Sequence, residues 1–169
     1  MFLRTQGSIV DTSRKIHATK VIDAPAEAVF AVLADPNRHA ELDGAGMVQG
    51  PNDTTPPIGG IGQVFTMNMH QDDLGDYRMV NTVTAYVPGA RIGWGPVLDP
   101  SCDAAEKFRD VAVGGHTFTY DLRENDGRTD VTETYDWTSV KDPTFEKLFP
   151  LVSEEQLQST LEHLAAAVR

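Results

Sequence analysis

The chain has 169 residues, 40% hydrophobic and 23% charged, a mix expected to fold as one globular domain over 1–169 and one that excludes a disordered or fibrous chain. Its 25 Asp and Glu against 14 Lys and Arg give a net charge of -11, which repels nucleic-acid phosphate and anionic membrane surfaces. Cys102 is the only cysteine, so an intrachain disulfide is excluded; with no apolar run of signal-peptide or membrane-span length, the expected location is the cytoplasm, without membrane insertion.

Residues 1–13 show no period and are expected to be a flexible arm or a short strand. Arg14 to Asp23 alternates, with Ile16, Ala18 and Ile22 on one parity, and predicts a strand. Ala24-Pro25 opens a helix that buries Val29, Phe30, Val32 and Leu33, because Pro fits the first turn. Asp35-Pro36 ends it and caps a second helix, Pro36 to Asp43, stopped by Gly44. Gly50 to Gly62 is rich in Pro and Gly and reads as loop.

Strands and turns follow. Gln63 to His70 carries Phe65, Met67 and Met69 on one face, and Tyr77 to Val87 carries Met79, Asn81, Val83 and Ala85. Arg91 to Val97 carries Ile92 and Trp94; His116 to Leu122 carries His116, Phe118, Tyr120 and Leu122. Asp99 to Val113 is a long polar connection of the kind that forms lids or mobile loops. Asn125-Asp126-Gly127 is a hairpin signal, leading into Arg128 to Val140 with Val131, Glu133, Tyr135 and Trp137 together. The last helix, 152–168, has Leu157, Leu161, Leu164 and Val168 at helical spacing. Ser153 with Gln156 three residues on forms a capping box, and Val152 with Leu157 a hydrophobic staple. One long apolar-faced helix needs a surface, and the strands supply it. The fold class is α+β, a curved antiparallel sheet of about seven strands wrapped around the C-terminal helix, with two short helices after the first strand.

Local wording agrees. Val21-Ile22-Asp23-Ala24-Pro25-Ala26-Glu27-Ala28-Val29-Phe30 resembles the strand-to-helix junction of the START-like (SRPBCC) superfamily, which includes Bet v 1-type and polyketide cyclase/dehydrase-like proteins. Ala34-Asp35-Pro36 resembles its helix break, and Val87-Pro88-Gly89-Ala90-Arg91-Ile92-Gly93-Trp94 its mid-sheet hairpin. The resemblance runs from Arg14 to Val168. His39-x-Glu41-Leu42-Asp43-Gly44 and Tyr135-Asp136-Trp137 are similar to an actinobacterial subgroup. The resemblance implies a helix-grip architecture with a cavity between concave sheet and long helix. It does not imply one function, since the superfamily holds lipid carriers, hormone receptors, cyclases and co-chaperone-like proteins.

The inward parities are rich in Met and aromatics, the side chains that line adaptable apolar sites as well as cores. Phe65, Met67, Met69, Met79, Asn81, Trp94, Phe118, Tyr120, Glu133 and Tyr135 are the candidate ligand-binding residues. Glu133 and His116 are the catalytic candidates, the one acid–base pair available. Glu133 either works as a buried acid or base, or is paired with an inward hydroxyl or His, or is turned out to water by a local bulge. His116 either orients a ligand or is a hydrogen-bonded core residue. Asn81 either fixes a ligand's polar group or serves buried backbone. His39 and Asp43, four apart, read as a surface ion pair rather than a metal site. No metal and no cofactor is expected. Gly59-Gly60-Ile61-Gly62 lacks the Lys of a phosphate-cradling loop.

The expected function is binding of a small hydrophobic or lipid-like ligand. The alternatives are a cyclase- or dehydratase-type enzyme and a co-chaperone-like interaction module. The chain is expected to act as a monomer or homodimer without nucleic acid.

Overall fold

A computed structural model of the chain describes residues 13–169. The arm or short strand expected over 1–13 therefore lies outside the described residues, Ser13 excepted. Among the described residues seven strands form one antiparallel sheet: β1 (Lys15–Ile22), β2 (Val48–Gly50), β3 (Val64–Gln71), β4 (Gly75–Val87), β5 (Arg91–Leu98), β6 (Thr117–Asn125) and β7 (Arg128–Asp136), in the order β1-β7-β6-β5-β4-β3-β2. β1 pairs with β7 from Lys15↔Asp136 to Ile22↔Thr129, so the first and last strands in sequence are neighbours. The seventh strand is β2, a three-residue edge paired with β3 across an irregular register. It is too short to show a period, which is why its sequence looks featureless.

Helix α1 (Ala26–Leu33) buries Val29, Phe30, Val32 and Leu33. Pro25 at its N-cap offers no side-chain cap. The carboxylate of Glu124, at the far end of β6, accepts from the Ala26 amide at 2.8 Å instead, meeting by tertiary contact a need that helix starts usually meet locally. The expected helix from Pro36 to Asp43 is two short pieces, a 3-10 turn over Pro36–Arg38 and then α2 (His39–Leu42). Such tight turns are common where a helix starts on a proline.

Two further boundaries differ from the sequence pattern. A bulge between Val83 and Ala85 shifts the β4–β5 register, so Tyr86, and not Ala85, packs on the core, edge-on to Phe30 at 5.5 Å. β7 ends at Asp136 rather than Val140, because the Asp136 carboxylate accepts from the amide and hydroxyl of Thr138 and turns the chain. The β6–β7 turn is as expected, with φ of 54° at Asp126 and 78° at Gly127, the left-handed pair a two-residue hairpin needs.

After α3 (Pro143–Glu146), capped by Asp142, the chain enters α4 (Glu154–Ala167). Ser153 Oγ accepts from the Gln156 amide at 3.1 Å, and Gln156 Oε1 accepts from the Ser153 amide at 2.9 Å. Leu157, Leu161 and Leu164 are fully buried against the sheet side; removing such a side chain costs about 2–5 kcal/mol. Ser153→Ala breaks the capping box and is expected to lower stability by about 1 kcal/mol. Urea titration checks this: the midpoint falls while the slope is unchanged. No helix among the described residues is long and apolar enough to cross a membrane.

Candidate functional site

The concave sheet and α4 leave a cavity of about 460 Å³ between them, within the range of small-molecule sites. Period-two alternation places its wall. Phe65, Met67 and Met69 come from β3, Met79 and Asn81 from β4, Trp94 from β5, Phe118 and Tyr120 from β6, and Glu133 and Tyr135 from β7. His116, just before β6, joins them. α4 contributes Leu157 and Thr160, and α2 contributes His39 and Leu42. Leu74, Phe108, Leu148 and Leu151 line it from three loops. Each of the four retains contact with solvent, Leu148 at 51% and Leu151 at 38% exposure, so this end is the open one. Phe108 and Val113 place the connection after β5 at this mouth. That connection is pinned to β4 by the Arg78–Asp99 ion pair at 2.7 Å.

Glu133 has its partner on the neighbouring strand. Register pairs Tyr120 with Glu133, and the Tyr120 hydroxyl donates to Glu133 Oε2 at 2.8 Å. Glu133 Oε1 is buried and has no partner among the described residues. Burial pushes the carboxyl up to about 8, against the hydrogen bond from Tyr120 and with the nearby Asp43 charge adding to the rise. Burial likewise holds Tyr120 well above the usual phenol range. At pH 7 the pair is a neutral acid beside a neutral phenol.

His116 stands apart from it. No hydrogen bond among the described residues joins His116 to Glu133. Thr117 pairs with Asp136 and Tyr120 with Glu133, and His116 lies one residue further out, so about 13 Å of strand separates the two candidates. His116 sits instead among Phe118, Tyr135, Phe145 and Phe149, at ring separations of 5.2–6.1 Å. Its Nδ1 has no partner among the described residues, unlike a satisfied core histidine. Burial lowers its pKa to about 4, so the ring is neutral. Asn81 donates to the Phe65 carbonyl at 3.4 Å and so serves backbone. Tyr135 stacks on Phe118 at 4.6 Å, and its hydroxyl accepts from the Leu151 amide at 3.2 Å, tying the mouth to β7.

His39 and Asp43 are not a surface ion pair. His39 is buried, its Nε2 bonded to the Leu33 carbonyl at 2.8 Å and its ring stacked on Trp94 at 4.7 Å. Desolvation lowers its pKa. The Asp43 carboxylate accepts from the amides of Ala45, Met47 and Val48, closing the turn into β2. Spacing of four predicts one shared helix face, but α2 ends at Leu42 and Asp43 is its extended C-cap, while His39 turns inward onto Trp94 of β5. No group of three or more metal-ligating side chains occurs among the described residues. Tyr77, Pro96 and Leu98, outside the candidate set, also line the wall. Tyr77 shares the parity of Met79, and the other two extend that of Trp94, so the signal was present.

A seven-stranded sheet gripping one long helix over an apolar cavity defines a Bet v 1-like, START-like protein. Residues 13–169 match the family described as polyketide cyclase / dehydrase and lipid transport, and the chain belongs to it. It is similar to an uncharacterised protein of Mycobacterium tuberculosis, 33% identical over 117 residues, which are 69% of this chain and 44% of that one. The chain thus spans less than half the length of that relative. Among solved structures it is similar to the Mycobacterium smegmatis protein Ms6760, with a TM-score of 0.64 at 18% identity covering 93% and 91% of the two chains. It is also similar to a major latex-like protein of Panax ginseng, with a TM-score of 0.58 at 17% identity over 90% and 95%. The two likenesses to solved structures show the fold.

Proposed function

We propose that this chain binds a small hydrophobic or lipid-like molecule in the cavity between the sheet and α4. The observation that carries the reading is the 460 Å³ space itself, walled by Met and aromatic side chains on strands and open at a mouth of exposed leucines. Packed interiors leave few voids larger than a water molecule. Apolar area removed from water supplies about 25 cal/mol per Å² before the costs of binding. The acidic surface supports action without nucleic acid, and the reading keeps the chain cytoplasmic, as a monomer or homodimer.

Native mass spectrometry of protein from its own cells tests it. The expected result is one equivalent of an apolar molecule, released on denaturing extraction. Met79→Trp, which fills the wall, is expected to weaken uptake of a fluorescent hydrophobic probe at least about tenfold, the equivalent of 1.4 kcal/mol. An empty protein that takes up no probe overturns the reading.

A second reading, cyclase or dehydratase chemistry, is favoured by the Tyr120–Glu133 pair, since a carboxyl near 8 holds a proton to donate at neutral pH. In that reading Glu133 alone is the acid, with Tyr120 positioning it. The interaction-module alternative called for a collapsed interior, and the open cavity gives it no support.

A further inference from the structure

This inference rests on the reading that the cavity takes a ligand, and concerns that ligand's charge. Among the described residues lining the cavity, Asp43, Asp73 and Glu133 carry carboxyl groups and none is lysine or arginine. Asp43 is bound to three backbone amides, which turns its hydrogen-bonding capacity away from a guest but leaves its charge in the wall. Tyr120 spends its hydroxyl proton on Glu133 Oε2. That leaves Glu133 Oε1, on a residue 2% exposed, as the buried polar atom of the Tyr120–Glu133 pair whose hydrogen-bonding capacity is unspent among the described residues.

A carboxylate or phosphate head at this position would be desolvated beside acidic groups with no cation to answer it. An ammonium head would also lose its water, and would have to ionise Glu133 in the same apolar surroundings. An uncharged head with an acceptor oxygen loses little and satisfies the carboxyl. Because Oε2 accepts from Tyr120, the proton of the neutral acid belongs on Oε1, where it has nothing to bond until a ligand supplies an oxygen.

We infer that the cavity selects an uncharged apolar molecule bearing an acceptor oxygen, such as an ester or ketone carbonyl seated on Glu133, and turns away amphiphiles whose head is a carboxylate or phosphate.

Displacement of a bound hydrophobic probe at pH 7 by four molecules of one chain length tests this: methyl laurate, laurate, dodecylamine and dodecane. Methyl laurate is expected to bind tightest, with laurate about 100-fold weaker, since its carboxylate would be desolvated with no lysine or arginine on the wall to pair with it. Glu133→Leu should bring methyl laurate down to the level of dodecane, whereas Glu133→Gln, which keeps a donor, should hold it within about threefold, well under the factor of ten that 1.4 kcal/mol represents. Laurate binding as well as its ester, or dodecylamine binding tightest, overturns the inference on wild-type protein alone. An ester preference that survives Glu133→Leu assigns the selection elsewhere and overturns the role of Glu133. If dodecane and the probe also fail to bind, the ligand-binding reading falls first, and that outcome is distinct from a wrong choice among heads.

Discussion

Glu133→Gln is expected to stabilise the folded chain by as much as about 5 kcal/mol at pH 8 and above, and to change it little at pH 4. The carboxyl titrates near 4.5 when unfolded and is pushed up to about 8 when folded. Below 4.5 both states are protonated, and burial of the neutral acid carries no charge penalty. From 4.5 to 8 the unfolded chain releases a proton that the folded chain retains, so wild-type stability falls by about 1.4 kcal/mol per pH unit. Above 8 the loss is complete. Gln can still accept from Tyr120 through its carbonyl oxygen, so the bond at 2.8 Å has a successor.

His116 works in the opposite direction. Its pKa of about 4 in the fold means stability is lost as pH falls from 6.5 toward 4. Between about 4.5 and 6.5 in wild type the Glu133 slope is opposed by that of His116 and by that of His39, whose pKa burial also lowers. Removing Glu133 leaves the histidine slopes alone, so the variant should gain stability steadily up to about pH 6.5 and then level off. Urea midpoints from pH 4 to 9 would show this. Parallel wild-type and variant curves across that range would mean that Glu133 is not held neutral in the fold.

Gly44→Ala is expected to cost about 3 kcal/mol and to loosen α4, because overpacking a rigid seam forces backbone apart. A Cβ at this position would overlap the Gln156 carbonyl oxygen and come within 2.7 Å of Ser159 Cβ and the Thr160 amide nitrogen. All three atoms belong to the long helix, and two are backbone, so neither side can give way cheaply. The Gly44 amide also donates to Thr160 Oγ1 at 2.8 Å. Thr160 and Leu157 line the cavity, so probe uptake should fall with stability. Gly60→Ala is the control, since nothing lies within 4 Å of its added Cβ. Equal denaturation midpoints for the two variants would remove Gly44 from the seam.

These residues also show where a linear reading ends. Gly44 reads as a helix stop, a local property, yet its strongest constraint is a helix more than a hundred residues away. Its φ is not in the left-handed region, so close approach alone demands glycine. His39 was legible as a helical residue but not as lying under Trp94, because spacing states which residues share a face and not which way the face turns. Glu124 capping α1 had no sequence signal, since cap rules cover only the first turns of a helix. The bulge before Ala85 left none either: one extra residue inverts every later side chain without changing composition.

The sequence by itself determined the seven-strand α+β class up to one short edge, the capping box at Ser153, the hairpin at Asp126-Gly127 and the inward set from Phe65 to Tyr135. All follow from periods of two or 3.6 and from side chains bonding within a few residues. Only the tertiary structure decided that Glu133 meets Tyr120 and not His116, that one carboxyl oxygen and one imidazole nitrogen stay unpartnered, and that the inward set surrounds space rather than filling it. Strand register and the height of α4 above the sheet settle those points. Both are set by contacts between residues far apart in the chain, which a local pattern does not encode.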